Sequence, residues 1–183
     1  DLTKGFSKQL KVDSGRIQSC SSSKKSVATV TNSGKITAKK NGKTTIKVRL
    51  TNGTTLSCKV TVKSNKYKAK KIAIKDVVYN TSEMKAYNAA FDSKGNLVLK
   101  FKLVNNSYGK ITNVPNFRVT ITDPSKKKVV SYSKKNYTTN VASYSDKECT
   151  VTIPKSALKK NYKKIDLRTA KISITGKFAS ASL

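Results

Sequence analysis

Between residues 44 and 63 apolar and polar side chains alternate almost without a break, and this limits the fold more than any other feature of the chain. Ile46, Val48 and Leu50 alternate with Lys47 and Arg49, and Leu56, Cys58, Val60 and Val62 alternate with Ser57, Lys59, Thr61 and Lys63. A period of two collects each apolar set on one face of a strand, which a helix cannot do. Between the two runs lies Thr51-Asn52-Gly53-Thr54, and Asn-Gly is a strong hairpin signal because both residues tolerate positive φ. Residues 44–63 therefore read as a hairpin with one buried face. Upstream, residues 27–30 and 35–38 flank Asn32-Ser33-Gly34 as a second, shorter hairpin, and Asn41-Gly42 turns the chain into the strand that follows.

The same logic extends to the remainder of the chain. Stretches 72–79, 96–104, 117–122, 127–132, 147–153 and 165–178 read as strands, and Asp123-Pro124-Ser125-Lys126 reads as a turn. Pro154 suits the first turn of a short helical stretch over 154–158. Only 82–92, rich in Ala with Glu83, suits a helix as well as a strand. A polar, basic break at 64–71 looks like a linker, and 183 residues fit two small domains. The expectation is an all-β chain of two sandwiches in tandem, 1–64 and 65–183, with no long helix.

Four motifs in the first part carry a resemblance. They are residues 21–30 (Ser-Ser-Ser-Lys-Lys-Ser-Val-Ala-Thr-Val), 33–38 (Ser-Gly-Lys-Ile-Thr-Ala), 41–46 (Asn-Gly-Lys-Thr-Thr-Ile) and 58–62 (Cys-Lys-Val-Thr-Val). In order and spacing, residues 2–63 resemble the bacterial Ig-like domain, group 2. That resemblance implies a small Ig-like β-sandwich of the kind found in secreted and surface-attached bacterial proteins, adhesins among them, and it implies no catalytic residues. The second part resembles extracellular Ig-like modules of Gram-positive bacteria only loosely. Cys20 stands where the group usually has a core Trp. Two inward cysteines, Cys20 by this match and Cys58 by alternation, suggest a disulfide between facing sheets, worth roughly 3–4 kcal/mol in the loop-entropy model. The other reading is two reduced core thiols. Cys149, flanked by alternating Val151 and Ile153, reads as a lone buried thiol.

Composition narrows the function. The chain has no His and no Trp, so it lacks imidazole for nucleophilic catalysis or metal binding, and nine scattered carboxylates leave little for acid–base chemistry. No enzyme activity, cofactor or metal is expected. The net charge is +30, and of 39 cations only Arg16, Arg49, Arg118 and Arg168 are Arg. Lys is a hydrated point charge without the planar fork of Arg, which suits a solvated coat better than a specific nucleic-acid site. Spread evenly, those Lys predict weak, salt-sensitive binding to polyanions.

All eight Tyr lie beyond residue 65. The polar stretch 132–146 holds three of them and reads as a long loop, so Tyr132, Lys134, Lys135, Tyr137 and Tyr144 are the candidate ligand-binding residues. The alternative is that these Tyr simply line strand edges. Asn-X-Ser/Thr sequons at Asn52, Asn80, Asn105 and Asn136 read as turn chemistry. No apolar run approaches the length of a membrane helix, and the lack of a leader before Asp1 says nothing about compartment. The expected role is a non-catalytic module of a secreted or surface protein of a Gram-positive bacterium, serving cell adhesion or structural display. The alternative is a basic module for anionic wall polymer or glycan.

Overall fold

A computed structural model describes residues 1–181, and the chain divides into two compact units, Asp1–Asn65 and the chain from Lys66 on. The first unit contains β1 (Leu2–Thr3), β2 (Ser7–Gln9), β3 (Ile17–Ser22), β4 (Ala28–Val30), β5 (Lys35–Ala38), β6 (Gly42–Leu50) and β7 (Thr55–Lys63). One sheet runs β1-β7-β6-β3 and the other β2-β5-β4, with β1 parallel to β7 and every other pair antiparallel. Ile46, Val48, Leu50, Val60 and Val62 of the first sheet share one core with Ala28, Ile36 and Ala38 of the second. These are the inward positions named by the alternation, except that Leu56, next to the hairpin turn, is exposed. In that turn only Gly53 takes positive φ, and Asn52 accepts the Thr54 N–H at 3.0 Å.

The second unit contains β8 (Lys66–Lys68), β9 (Thr81–Phe91), β10 (Leu97–Asn106), β11 (Lys110–Thr122), β12 (Lys128–Val141), β13 (Ser145–Ile153), β14 (Lys171–Thr175) and β15 (Ala179–Ala181). Its sheets run β13-β10-β9-β8 and β12-β11-β14, with β15 also paired to β11. Leu97, Leu99, Phe101 and Leu103 of β10 are fully buried against Phe117, Val119 and Ile121 of β11. Phe101 meets Phe117 and Tyr137 of the other sheet at ring-centroid distances of 5.6 and 5.3 Å, which seals a β-sandwich. The only helices among the described residues are single 3-10 turns, Ile74–Asp76, Lys155–Ala157 and Tyr162–Lys164. The segment that also suited a helix is strand β9, because β10 and β8 pair with it on both sides and override its Ala propensity.

Four expectations need correction. The expected linker 64–71 contains β8, an edge strand paired to Asn88–Ala90 of the second unit. Stretch 72–79 is a 3-10 turn and loop, because Ile72 and Val77 drop onto Val104 instead of pairing with a neighbouring strand. Of 165–178 only Lys171–Thr175 is strand. Ile165 and Leu167 reach the core from irregular backbone.

The expected Cys20–Cys58 disulfide is the fourth, since all three cysteines are free. Cys20 on β3 pairs with Val48, and Cys58 on β7 pairs with Ile46, so β6 lies between them in a single sheet. Two strand spacings across and a two-residue offset along β6, from Val48 to Ile46, put their Cα atoms about 12 Å apart. A disulfide needs them within about 7 Å. Both side chains do turn inward, as alternation requires, but they sit side by side on one sheet and not face to face on two.

Candidate binding site

The end of β10 carries two consecutive asparagines, and both are buried, Asn105 completely. Buried amides need partners, and these two take theirs from loops. Asn105 donates through Nδ2 to the carbonyls of Gly109, Val141 and Ala142 at 2.7, 3.3 and 2.9 Å. Its Oδ1 accepts from Ser82 Oγ at 3.1 Å and from Ser107 Oγ at 2.6 Å. Asn106 points to the other face and donates to Val77 O at 2.8 Å. Beside it Ile72, Ile74 and Val77 pack on Val104, forming a small satellite core that anchors the segment before β9.

Three turns are thereby tied to one strand end, and each carries a tyrosine. Tyr79 precedes Asn80, which takes a left-handed φ of 62°. Tyr108 occupies the turn between β10 and β11. Tyr144, itself at φ 49°, occupies the turn between β12 and β13, where its N–H donates to Ser107 O at 3.4 Å. The rings of Tyr79 and Tyr144 lie nearly parallel with centroids 6.1 Å apart, and Tyr108 stands edge-on to both at 6.0 and 5.3 Å. The Tyr79 and Tyr108 hydroxyls are hydrogen-bonded, and Tyr144 donates to Tyr79 Oη at 3.3 Å. Hydrogen bonds from Tyr79 and Tyr144 hold the Tyr108 phenol below its usual range, whereas desolvation and hydrogen bonding to the other two phenols push Tyr144 up.

This group is exposed despite its apolar area. Tyr79, Tyr108 and Tyr144 retain 61%, 59% and 39% of their surface, and the neighbouring Val78 is 75% exposed. Together they are four of the five exposed large hydrophobics among the described residues, Leu56 being the fifth. An apolar patch tied to the strand end by buried hydrogen bonds and left uncovered is a candidate contact surface. Tyr supplies flat area at low entropic cost and a hydroxyl at its rim.

Of the five residues singled out from the sequence, only Tyr144 belongs here. The stretch expected to be a loop is mostly β12, which pairs with β11 along its length. Tyr132 packs on the core, and Tyr137 lies 4.9 Å from Phe117 with its hydroxyl donating to Thr150 O at 3.2 Å. Burial pushes the Tyr137 phenol well above its usual range. Lys134 lies over the Tyr137 ring at 5.8 Å, and Lys135 is exposed beside it. Charged side chains there protect the long free edge of β12 from pairing with another chain. Tyr79 falls at the end of the stretch 72–79 that the sequence reads as a strand, and Tyr108 is a single Tyr in a short turn, so neither stands out as a binding residue. Val78-Tyr79-Asn80, an apolar pair before a turn residue, was the available signal.

Several carboxylates are engaged away from this surface. Asp1, Asp123, Asp146 and Glu148 pair with Lys63, Lys160, Lys102 and Lys71. Asp92 and Asp76 hold turns by accepting backbone N–H groups. Among the described residues no three His, Cys, Asp or Glu gather as a metal site, and no helix is long and apolar enough to cross a membrane.

No family model matches the chain, and no curated protein matches it in sequence. Among solved structures it is similar to one from a study of carbohydrate-binding modules of the β-sandwich superfamily, with 16% identity over 80% of this chain and 72% of that one. The TM-score is 0.22, too low for the likeness to bear on function.

Proposed function

We propose that the chain is a non-catalytic binding module that holds carbohydrate on the Tyr79–Tyr108–Tyr144 surface. We place it, with the group 2 Ig-like resemblance of its first unit, in a secreted or surface-attached bacterial protein whose role is adhesion. The observation that carries the reading is the exposed trio itself, fixed from beneath by Asn105 and Asn106. A sugar ring presents C–H groups on its faces and hydroxyls around its rim. Tyr meets both, with ring face and phenol. The reading is non-catalytic because the carboxylates named above serve turns and ion pairs: Asp123, which accepts from Ser125 Oγ, also takes the Ser125 and Lys127 N–H groups of its turn, and Glu148, which accepts from Tyr87, is paired with Lys71.

The test is a panel of immobilised oligosaccharides, neutral and acidic, probed with the wild-type chain and with the Tyr79→Ala/Tyr108→Ala double variant. Both side chains are exposed, so the variant keeps its fold, and its thermal midpoint verifies that. At least one neutral oligosaccharide is expected to bind, with affinity dropping tenfold or more in the variant. Undiminished binding by a folded double variant overturns the reading.

A further inference from the structure

The outer face of the first unit's larger sheet has a composition that the proposed carbohydrate site does not use. Along β6 the outward residues are Lys43, Thr45, Lys47 and Arg49, while Thr44, Ile46, Val48 and Leu50 are buried. Along β7 they are Thr55, Ser57, Lys59, Thr61 and Lys63. The register sets Lys43 opposite Thr61, Thr45 opposite Lys59, Lys47 opposite Ser57 and Arg49 opposite Thr55. On the other flank β3 sets Ser21 opposite Lys47 and Ser19 opposite Arg49. Every cation in this array therefore faces a hydroxyl across the strands, and no two cations face each other, an arrangement that avoids the cost of opposed like charges.

The result is a zigzag of cations. Same-face neighbours lie about 6.7 Å apart along a strand and about 4.8 Å across strands, so Lys43, Lys59 and Lys47 follow one another at about 8 Å. Among the described residues none of Lys43, Lys47, Lys59 and Arg49 makes an ion pair, and only Lys63, at the β1 edge, is met by Asp1. Strands β3, β6 and β7 carry no carboxylate and no aromatic ring, and the Asp1 carboxylate meets the face only at its Lys63 edge. At one end it dips into a depression of about 430 Å³ whose lining includes Lys24, Lys43, Lys59, Ser23, Thr45 and Thr61.

We propose that this face binds a linear polyol-phosphate polymer, a chain of phosphodiesters separated by short hydroxylated spacers. Cations at regular intervals hold the phosphates, and the intervening Ser and Thr hydroxyls bond to phosphate oxygens and spacer hydroxyls. The zigzag path requires a chain that bends at single bonds, which a stiff polymer of uronic acid rings does not do. Nucleic acid fits poorly, because the face offers no ring for bases to stack on and a single guanidinium. The site is separate from the tyrosine trio, so either reading stands without the other.

The experiment titrates the full chain with poly(glycerol phosphate), with single-stranded DNA and with a polyuronate of matched charge, at low and fourfold higher salt. Two triple variants remove equal charge: Lys43→Gln/Lys47→Gln/Lys59→Gln on the face, and Lys126→Gln/Lys127→Gln/Lys128→Gln in the second unit. With four phosphates engaged, the slope of log K against log salt is about −3, and fourfold salt weakens binding roughly 60-fold. The face variant is expected to lose at least tenfold at low salt and to flatten that slope by about 2, while the control changes less than twofold. Equal losses in both triples mean a dispersed Lys coat and overturn the proposal. So does DNA or polyuronate binding as tightly as poly(glycerol phosphate).

Discussion

Asn105 has no exposed surface and uses both ends of its amide, joining the turns that carry Tyr108 and Tyr144 to the strand beneath them. Asn105→Ala strands carbonyls and hydroxyls in the interior and is expected to cost about 3 kcal/mol. For a unit of this size that lowers the thermal midpoint by roughly 10 °C. Asn136→Ala, at an exposed position of β12, serves as the control and is expected to change little. A second residue-scale prediction concerns the phenols. Tyr108 is held below the ordinary Tyr value of about 10, whereas Tyr87 is pushed up to about 12 by burial and by its hydrogen bond to Glu148. Spectrophotometric titration should show one phenol ionising ahead of the others, and Tyr108→Phe should abolish that early step. Neither role was legible in the sequence: Asn105 appeared there as part of a sequon, because nothing local distinguishes an exposed Asn from one that collects carbonyls from distant loops. The turn readings of Asn52 and Asn80 did match their positions.

At the scale of elements, period-two patterning was enough to find β6, β7 and most of β10, because one face of each is buried and the other is wet. It failed where polarity and burial part company. β12 is long, polar and at the edge of its sheet, so its exposed residues mimic a loop. The cysteines show a related limit. Alternation gives the face on which a side chain sits but not the order of strands in a sheet, and that order decides the disulfide. Mass spectrometry of air-oxidised, unreduced protein is therefore expected to find no Cys20–Cys58 bridge. Alkylation of the folded chain should modify the half-buried Cys20 and Cys58 well before Cys149, which is 5% exposed. A bridge between Cys20 and Cys58 would mean that β6 does not separate them.

For the molecule as a whole, a charge of +30 with no His means that stability should barely change between about pH 5 and 8, since no side chain with an ordinary pKa titrates there. The acid side differs. Hydrogen bonds from Ser125, then Lys127 and Lys160, lower Asp123; those from Lys71 and Tyr87 lower Glu148; and in Asp92 those from Asn96 and Lys94 outweigh desolvation. Groups whose native pKa is depressed contribute stability that is complete above the unfolded value of about 4 and is lost as pH falls through the native value. The thermal midpoint should hold down to about pH 5, then fall steeply below about pH 4 as repulsion among the cations is unmasked. Asp123→Asn should flatten part of that fall. A midpoint unchanged at about pH 2.5 would show that these carboxylates contribute nothing.

The central claim is that three tyrosines at one end of the second unit form the contact surface, and nuclear magnetic resonance of the chain labelled at its tyrosine rings reads it directly. Eight ring signals are available. On titration with the tightest-binding oligosaccharide of the panel, those of Tyr79, Tyr108 and Tyr144 are expected to shift together and saturably. Those of the core-packed Tyr132 and Tyr137 should stay in place. Shifts confined to Tyr132 and Tyr137, or no shift in any ring at millimolar concentrations across the panel, would contradict the account.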